Sequence, residues 1–172
     1  VQLGAKAKGL AVGDRVVLDQ GLNCRSLNRD PLCEYCATGF THHCEHYQEH
    51  GITGLPGGFA DLISIPAVNA IVIESDIPSE CAAMTEPLGC VLHSLNLVQH
   101  LGTRYRFVPS SEYEIIQAIT VCGAGPAGQL FVQAIRSLLG FQGDLFITDP
   151  EPRKLAAAAK FGATAIALDG EE

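Results

Sequence analysis

Four cysteines, Cys24, Cys33, Cys36 and Cys44, fall within 21 positions of one polar stretch. The run Cys33-x2-Cys36-x7-Cys44, with Cys24 nine residues upstream of Cys33, has the composition of a metal site. A C-x-x-C turn presents two thiolates to one ion, and zinc takes four such ligands in a tetrahedron. A closed four-ligand site is structural, because it leaves no position for a substrate. Asp30, His42, His43, His46 and His50 are competing ligands in the same stretch. A redox C-x-x-C belongs beside a thioredoxin-like strand–helix unit, whereas this one lies in a long loop, 23–51. Cys81, Cys90 and Cys122 are scattered through apolar contexts and read as plain buried thiols.

The second chemical motif is Gly123-Ala124-Gly125-Pro126-Ala127-Gly128, a G-x-G-x-x-G between an expected strand and an expected helix. Gly123 permits the tight turn, Gly125 lets the backbone approach a pyrophosphate, and Gly128 allows close helix–strand packing. Phosphates are then held at the helix N terminus, where unpaired N–H groups and the helix dipole favour negative charge. Pro126 suits the first helical turn, and Ala127 completes it. Asp149 follows Gly128 by 21 residues, the distance at which an acid accepts hydrogen bonds from adenosine ribose hydroxyls. Such an acid repels a 2′-phosphate, which favours NAD over NADP, although Arg153 and Lys154 would tolerate a phosphate. The competing reading makes Asp149 an ordinary cap for the next helix.

The elements that must position these groups divide the chain in two. From residue 1 to 78 the pattern is strand and loop: Val16–Leu18, an alternating stretch at Gly57–Pro66, and Ala70–Ile73. A loop as long as 23–51 inside a compact domain needs a pin, and a metal supplies one. From 79 to 172 helix and strand alternate. Ser79 is expected to cap a helix running past Val98, and a polar segment occupies 103–114. Strands at 115–121, 144–148 and 163–168 flank helices at 126–139 and 152–161, which is the pattern of a parallel α/β sheet.

The 172 residues carry 11 Lys plus Arg against 19 Asp plus Glu, a net charge of −8. That balance argues against a nucleic-acid partner, which requires a basic face. No apolar run approaches the ~18 residues of a membrane span, so no membrane partner is expected.

In order along the chain, GLAVGDRVV, the cysteine cluster, GGFADLISIP, EPLGCVLH, VCGAGPAG and TDPEPRKLAAAAKFGA resemble the zinc-dependent medium-chain alcohol/polyol dehydrogenases, of the sorbitol and threonine dehydrogenase branch. The resemblance implies an α/β chain. Part of a GroES-like, β-rich catalytic domain occupies 1–78, and the first half of a Rossmann doubly wound parallel sheet occupies 79–172. It implies structural zinc on Cys24, Cys33, Cys36 and Cys44, and NAD on the glycine motif. Glu86, of the Glu-Pro-Leu motif, would lie beside a catalytic zinc; the competing reading is a carboxylate capping its own helix. A small alcohol or polyol substrate, a cytoplasmic location and homo-oligomers also follow from it.

Three departures stand out. The usual C-x2-C spacing of the first two zinc cysteines would place a ligand at Asp30, so the fourth ligand is Cys24 or Asp30. Residues 103–117 exceed the usual link into the first Rossmann strand. The family's remaining catalytic-zinc ligands, a Cys and a His-Glu pair, precede residue 1, and the chain stops near the third Rossmann strand. The sequence therefore reads as an internal piece of an enzyme about twice its length. Two alternatives stand beside the dehydrogenase: a catalytically incomplete, zinc-stabilised nucleotide-binding fragment, and a zinc-free enoyl or quinone reductase relative.

Overall fold

The computed structural model describes residues 2–100, 107, 111 and 115–168. Two compact units divide the chain, Val1–Ala83 and Met84–Glu172. Most of the polar segment expected at 103–114 lies outside the described residues.

In the first unit, regular structure is sparse. Strand β1 (Val16–Leu18) pairs antiparallel with β4 (Ala70–Val72), and β2 (Gly21–Leu22) pairs antiparallel with β3 (Gln48–Glu49). Helices α1 (Glu34–Thr38) and α2 (Ser79–Ala82) are short. Two-stranded ribbons are marginal by themselves, so side-chain ties carry the links between them. Asn69 is buried, and its amide donates to the carbonyls of Asp19 (3.0 Å) and Gly21 (2.8 Å), fastening the start of β4 to the β1–β2 connection. Arg15 Nη2 donates to Ile77 O at 2.6 Å and reaches Ser79 Oγ at 3.4 Å, which anchors α2.

Two sequence expectations need correction here. Gly57–Pro66 alternates like a strand but forms no ladder. A strand needs a hydrogen-bonding neighbour, none of the described strands lies beside it, and Phe59 (110%) and Leu62 (79%) stay exposed. Ser79 is not the cap of one long helix either. Pro78 takes the cap position in extended conformation and Ser79 is already helical; the helical run breaks after Ala82 and resumes as α3 (Thr85–His100).

The second unit is a three-stranded parallel sheet ordered β5 (Ala118–Cys122), β6 (Asp144–Asp149), β7 (Thr164–Ala167). Helices α4 (Pro126–Gln133) and α5 (Pro152–Ala159) make the crossovers. Alternation along β6 buries Leu145 and Ile147 against Val132 and Ile135 of the α4 arm, Leu155 and Ala158 of α5, and Val91 and Leu95 of α3. The order β5-β6-β7 is that of the first three strands in one half of a Rossmann sheet. α4 ends earlier than expected, with Ala134–Leu138 continuing as a π-helical turn. Cys81, Cys90 and Cys122 are exposed rather than buried: Cys122 falls on the uncovered face of end strand β5, and Cys90 on the outer side of α3.

Arg136 closes the π-helical turn against both following connections. Its guanidinium donates to Phe141 O (2.7 Å), Gly143 O (2.9 Å) and Gly162 O (3.0 and 3.1 Å), and it lies 5.6 Å from the Phe141 ring centroid. Three carbonyls lose their donor in Arg136→Leu. Chemical denaturation should show the second unit destabilised by about 2–3 kcal/mol, and an unchanged midpoint would mean that the guanidinium only decorates the surface.

Candidate functional site

The cysteine loop is drawn shut by short-range hydrogen bonds. After β2, the Asn23 side chain accepts from Arg25 N–H (2.9 Å), and Arg29 N–H closes back on Cys24 O (2.9 Å). Cys33 stands at the N-cap of α1, and the first turn of that helix carries Cys36 inward. Gly39, at φ 94°, ends α1, and a 3-10 turn at Thr41–His43 delivers Cys44. Pairing of Gly21 with Glu49 and Leu22 with Gln48 draws the two ends of the loop together, and Cys24 Sγ lies 3.7 Å from Cys44 Sγ.

The four sulfurs lie within 4.8 Å of one another, with Cys24–Cys44 at 3.7 Å and Cys33–Cys44 at 3.9 Å. Zinc–sulfur bonds of about 2.3 Å in a tetrahedron separate the sulfurs by roughly 3.8 Å, so the spacing fits a tetrathiolate ion. Cys24 and Cys36 are fully buried, Cys44 nearly so, and Cys33 half-buried. Cys24 joins the group and Asp30 does not. Among the described residues no other three Cys, His, Asp or Glu side chains converge in this way, which leaves out His42, His43, His46 and His50.

The thiols are differently tuned. The Cys36 backbone N–H, helped by that of Glu45, brings Cys33 down to about 7 against the pull of burial. Burial pushes Cys36 up to about 12. At Cys24 the Cys33 backbone N–H works in the opposite sense, yet burial and the Cys44 and Cys33 sulfurs raise the thiol overall. Four close, buried thiols resist ionising together, and a divalent cation is the group that would let them do so. His46 N–H already points at Cys44 Sγ at 3.3 Å, as a donor to a thiolate would.

In the second unit, Gly123 adopts φ 95° at the end of β5, a region open chiefly to glycine, and its N–H bonds Thr148 O at 2.8 Å. A Cβ on Gly128 would overlap the Gly123 carbonyl oxygen. Gly125 is different: its backbone is ordinary and a Cβ there would meet nothing within 4 Å. Among the described residues no neighbour requires that glycine, and the space beside it is open. Pro126 opens α4 and Ala127 is exposed at its N terminus.

Asp149 is buried at the end of β6. Its Oδ2 accepts from Ala124 N–H and its Oδ1 from Glu151 N–H, both at 2.8 Å, and Lys154 Nζ stands 3.8 Å away. The Glu151 and Ala124 N–H groups, with Lys154, hold its carboxyl below the usual carboxylate range against the effect of burial. Asp149 does not cap α5. That role falls to Glu151, whose carboxylate accepts from Arg153 N–H at 3.3 Å, while the Arg153 side chain is exposed. Sequence reasoning overlooked Glu151, although its position just ahead of Pro152 is a helix-start signal. Glu86 occupies the first turn of α3, where it accepts from Cys90 Sγ at 3.4 Å; among the described residues it belongs to no converging set of three or more metal-ligating groups.

Residues 1–75 match the alcohol dehydrogenase GroES-like domain family. The L-threonine 3-dehydrogenase of Coxiella burnetii is 32% identical over 166 residues, which cover 96% of this chain and 42% of that protein. Over nearly its whole length the chain is thus similar to dehydrogenases of the medium-chain, zinc-type kind. Among solved structures of this kind, galactitol-1-phosphate dehydrogenase from Escherichia coli is 28% identical, with a TM-score of 0.71 over 95% of this chain and 41% of that one. A Sinorhizobium meliloti protein with bound NADP is 25% identical, with a TM-score of 0.73 over 98% of this chain and 43% of that one. The chain spans about two fifths of the length of the relatives it matches.

Two outcomes follow from the site. Cys36→Ser should weaken zinc binding on the order of a hundredfold or more, whereas Asp30→Asn should leave it unchanged in a chelator competition. Because the Asp149 pKa is depressed on folding, its stabilisation is present above its unfolded value near ~4 and is lost as pH falls through the folded value. Asp149→Asn should therefore be less stable than wild type at pH 7, with the gap closing in denaturation curves recorded below about pH 4.

Proposed function

We propose that the chain is part of a zinc-containing, NAD-dependent oxidoreductase that transfers hydride from a secondary alcohol, polyol, sugar or amino-alcohol. The observation that carries the nucleotide half of this reading is the glycine turn: an open approach at Gly125, the N terminus of α4 beside it, and the Asp149 carboxylate bonded to Ala124 N–H. The nicotinamide, when bound, accepts the hydride. Gly123, Gly125, Pro126, Ala127 and Gly128 would seat the diphosphate, and each Asp149 oxygen retains a lone pair for a ribose hydroxyl. Arg153 and Lys154 lie on α5 just beyond. A negative carboxylate at this place disfavours a 2′-phosphate, which is the basis for NAD over NADP.

Cys24, Cys33, Cys36 and Cys44 would hold a structural zinc that stiffens their lobe without meeting substrate. Glu86 would stand near a second, catalytic zinc in the assembled enzyme. Relatives named L-threonine 3-dehydrogenase and galactitol-1-phosphate dehydrogenase make amino-alcohols and polyol phosphates the first substrates to assay. No disulfide joins the described cysteines, which suits a reducing, cytoplasmic setting; homo-oligomers are what the family resemblance implies.

A second reading is a zinc-stabilised nucleotide-binding unit without turnover. It rests on the metal-ligating groups: among the described residues the four-cysteine cluster is the one set of three or more that converges. Titration with NAD and NADP separates the readings when paired with an alcohol panel. The dehydrogenase reading expects NAD to bind at least about tenfold tighter than NADP and Asp149→Ser to narrow that gap, with alcohol-dependent reduction of NAD. Binding without reduction favours the second reading, and no binding of either nucleotide removes both.

A further inference from the structure

Gln129 follows the last glycine of the motif, and its side chain turns back beneath the turn rather than outward. Its Nε2 donates to Ala124 O at 3.0 Å and to Lys154 O, on α5, at 2.9 Å. Both partners are carbonyls, so only the amide nitrogen can face them, and both of its hydrogens are used. The cost is visible: Gln129 Oε1 is buried with no hydrogen-bond partner among the described residues. A side chain that strands its own acceptor to satisfy two carbonyls is held there by those two bonds.

Ala124 is itself almost wholly buried and is gripped from the other side by Asp149 Oδ2 on its N–H. Gln129 and Asp149 thus fix the two peptide planes on either side of Ala124. The Ala124–Gly125 peptide is trans, so the Gly125 N–H points opposite to the Ala124 C=O. Pinning that carbonyl on Gln129 turns the Gly125 N–H away from Gln129, at a residue whose open side is shown by a Cβ there meeting nothing within 4 Å.

We propose that Gln129 is a positioning residue for nucleotide binding: it holds the Ala124 carbonyl so that the Gly125 N–H is already presented to the diphosphate of an adenine dinucleotide. The proposal rests on the nucleotide-binding reading above and adds the device that sets the turn in advance of the ligand. Preorganised donors cost nothing to reorient on binding, so their loss appears in affinity.

The test is calorimetric titration of the 172-residue chain, wild type and Gln129→Met, with NAD, ADP and AMP. Methionine keeps the length and removes both donors. The expected result is about tenfold weaker binding of NAD and ADP, by one common factor, from the loss of two ordinary hydrogen bonds. AMP, which has no diphosphate, should change by less than about twofold. A variant that binds ADP as tightly as wild type, or that loses AMP and ADP equally, overturns the proposal. A wild-type chain that binds neither NAD nor ADP sinks the nucleotide-binding reading itself, and the proposal with it. Should Gln129→Met fail to fold, hydrogen exchange of the Gln129 side-chain amide in the ligand-free wild type decides the matter. Protection supports the clamp, and exchange at the rate of an exposed glutamine overturns it.

Discussion

Mutual approach of the four sulfurs of Cys24, Cys33, Cys36 and Cys44 is the constraint on which the first unit depends. Among its described residues the buried side chains are few: Leu22, Ser26, Asn69 and Ala82 beside Cys24, Cys36 and Cys44. Among the described residues, Leu32 and Tyr47 are the partly buried side chains that pack around the four cysteines. Two strand pairs of two or three residues cannot bury enough apolar surface to order a loop as long as 23–51. The cluster takes the place of a hydrophobic core there, and four sulfurs within 4.8 Å of one another mark a set of thiols arranged for a cation.

The second unit is held by an ordinary apolar core, and its constraint is local. Gly128 must pass so close to the Gly123 carbonyl that no side chain fits between α4 and the end of β5. That contact fixes where α4 begins, and the Ala124 N–H then falls within reach of Asp149 on β6. One carboxylate thereby joins the glycine turn to the start of α5 through Glu151 N–H. Charge and geometry agree: the groups that hold Asp149 ionised are the same backbone N–H groups that order the turn.

Much of this was legible in the residues because the signals are local. The glycine motif between an apolar run and a helix, and an acid 21 residues later, need no distant partner to be recognised. Cysteine spacing indicated a metal lobe, but the choice between Cys24 and Asp30 required the β2–β3 pairing, which short two-residue strands do not announce. Gly57–Pro66 misled because alternation reports a face that could pair, not a neighbour that does. Ser79 misled because Pro78 already supplies an extended residue before the helix. Gln129 and Asn69 carry no periodic or motif signal, since their importance lies in which carbonyls happen to come within reach after folding.

Zinc-edge X-ray absorption on the purified chain reaches the central claim most directly, because it counts and identifies the atoms around the metal. The account predicts a single shell of four sulfurs at about 2.3 Å. A shell containing nitrogen or oxygen would contradict it and return one of the loop's histidines or Asp30 to the ligand set. A chain that retains no zinc after purification would contradict it outright.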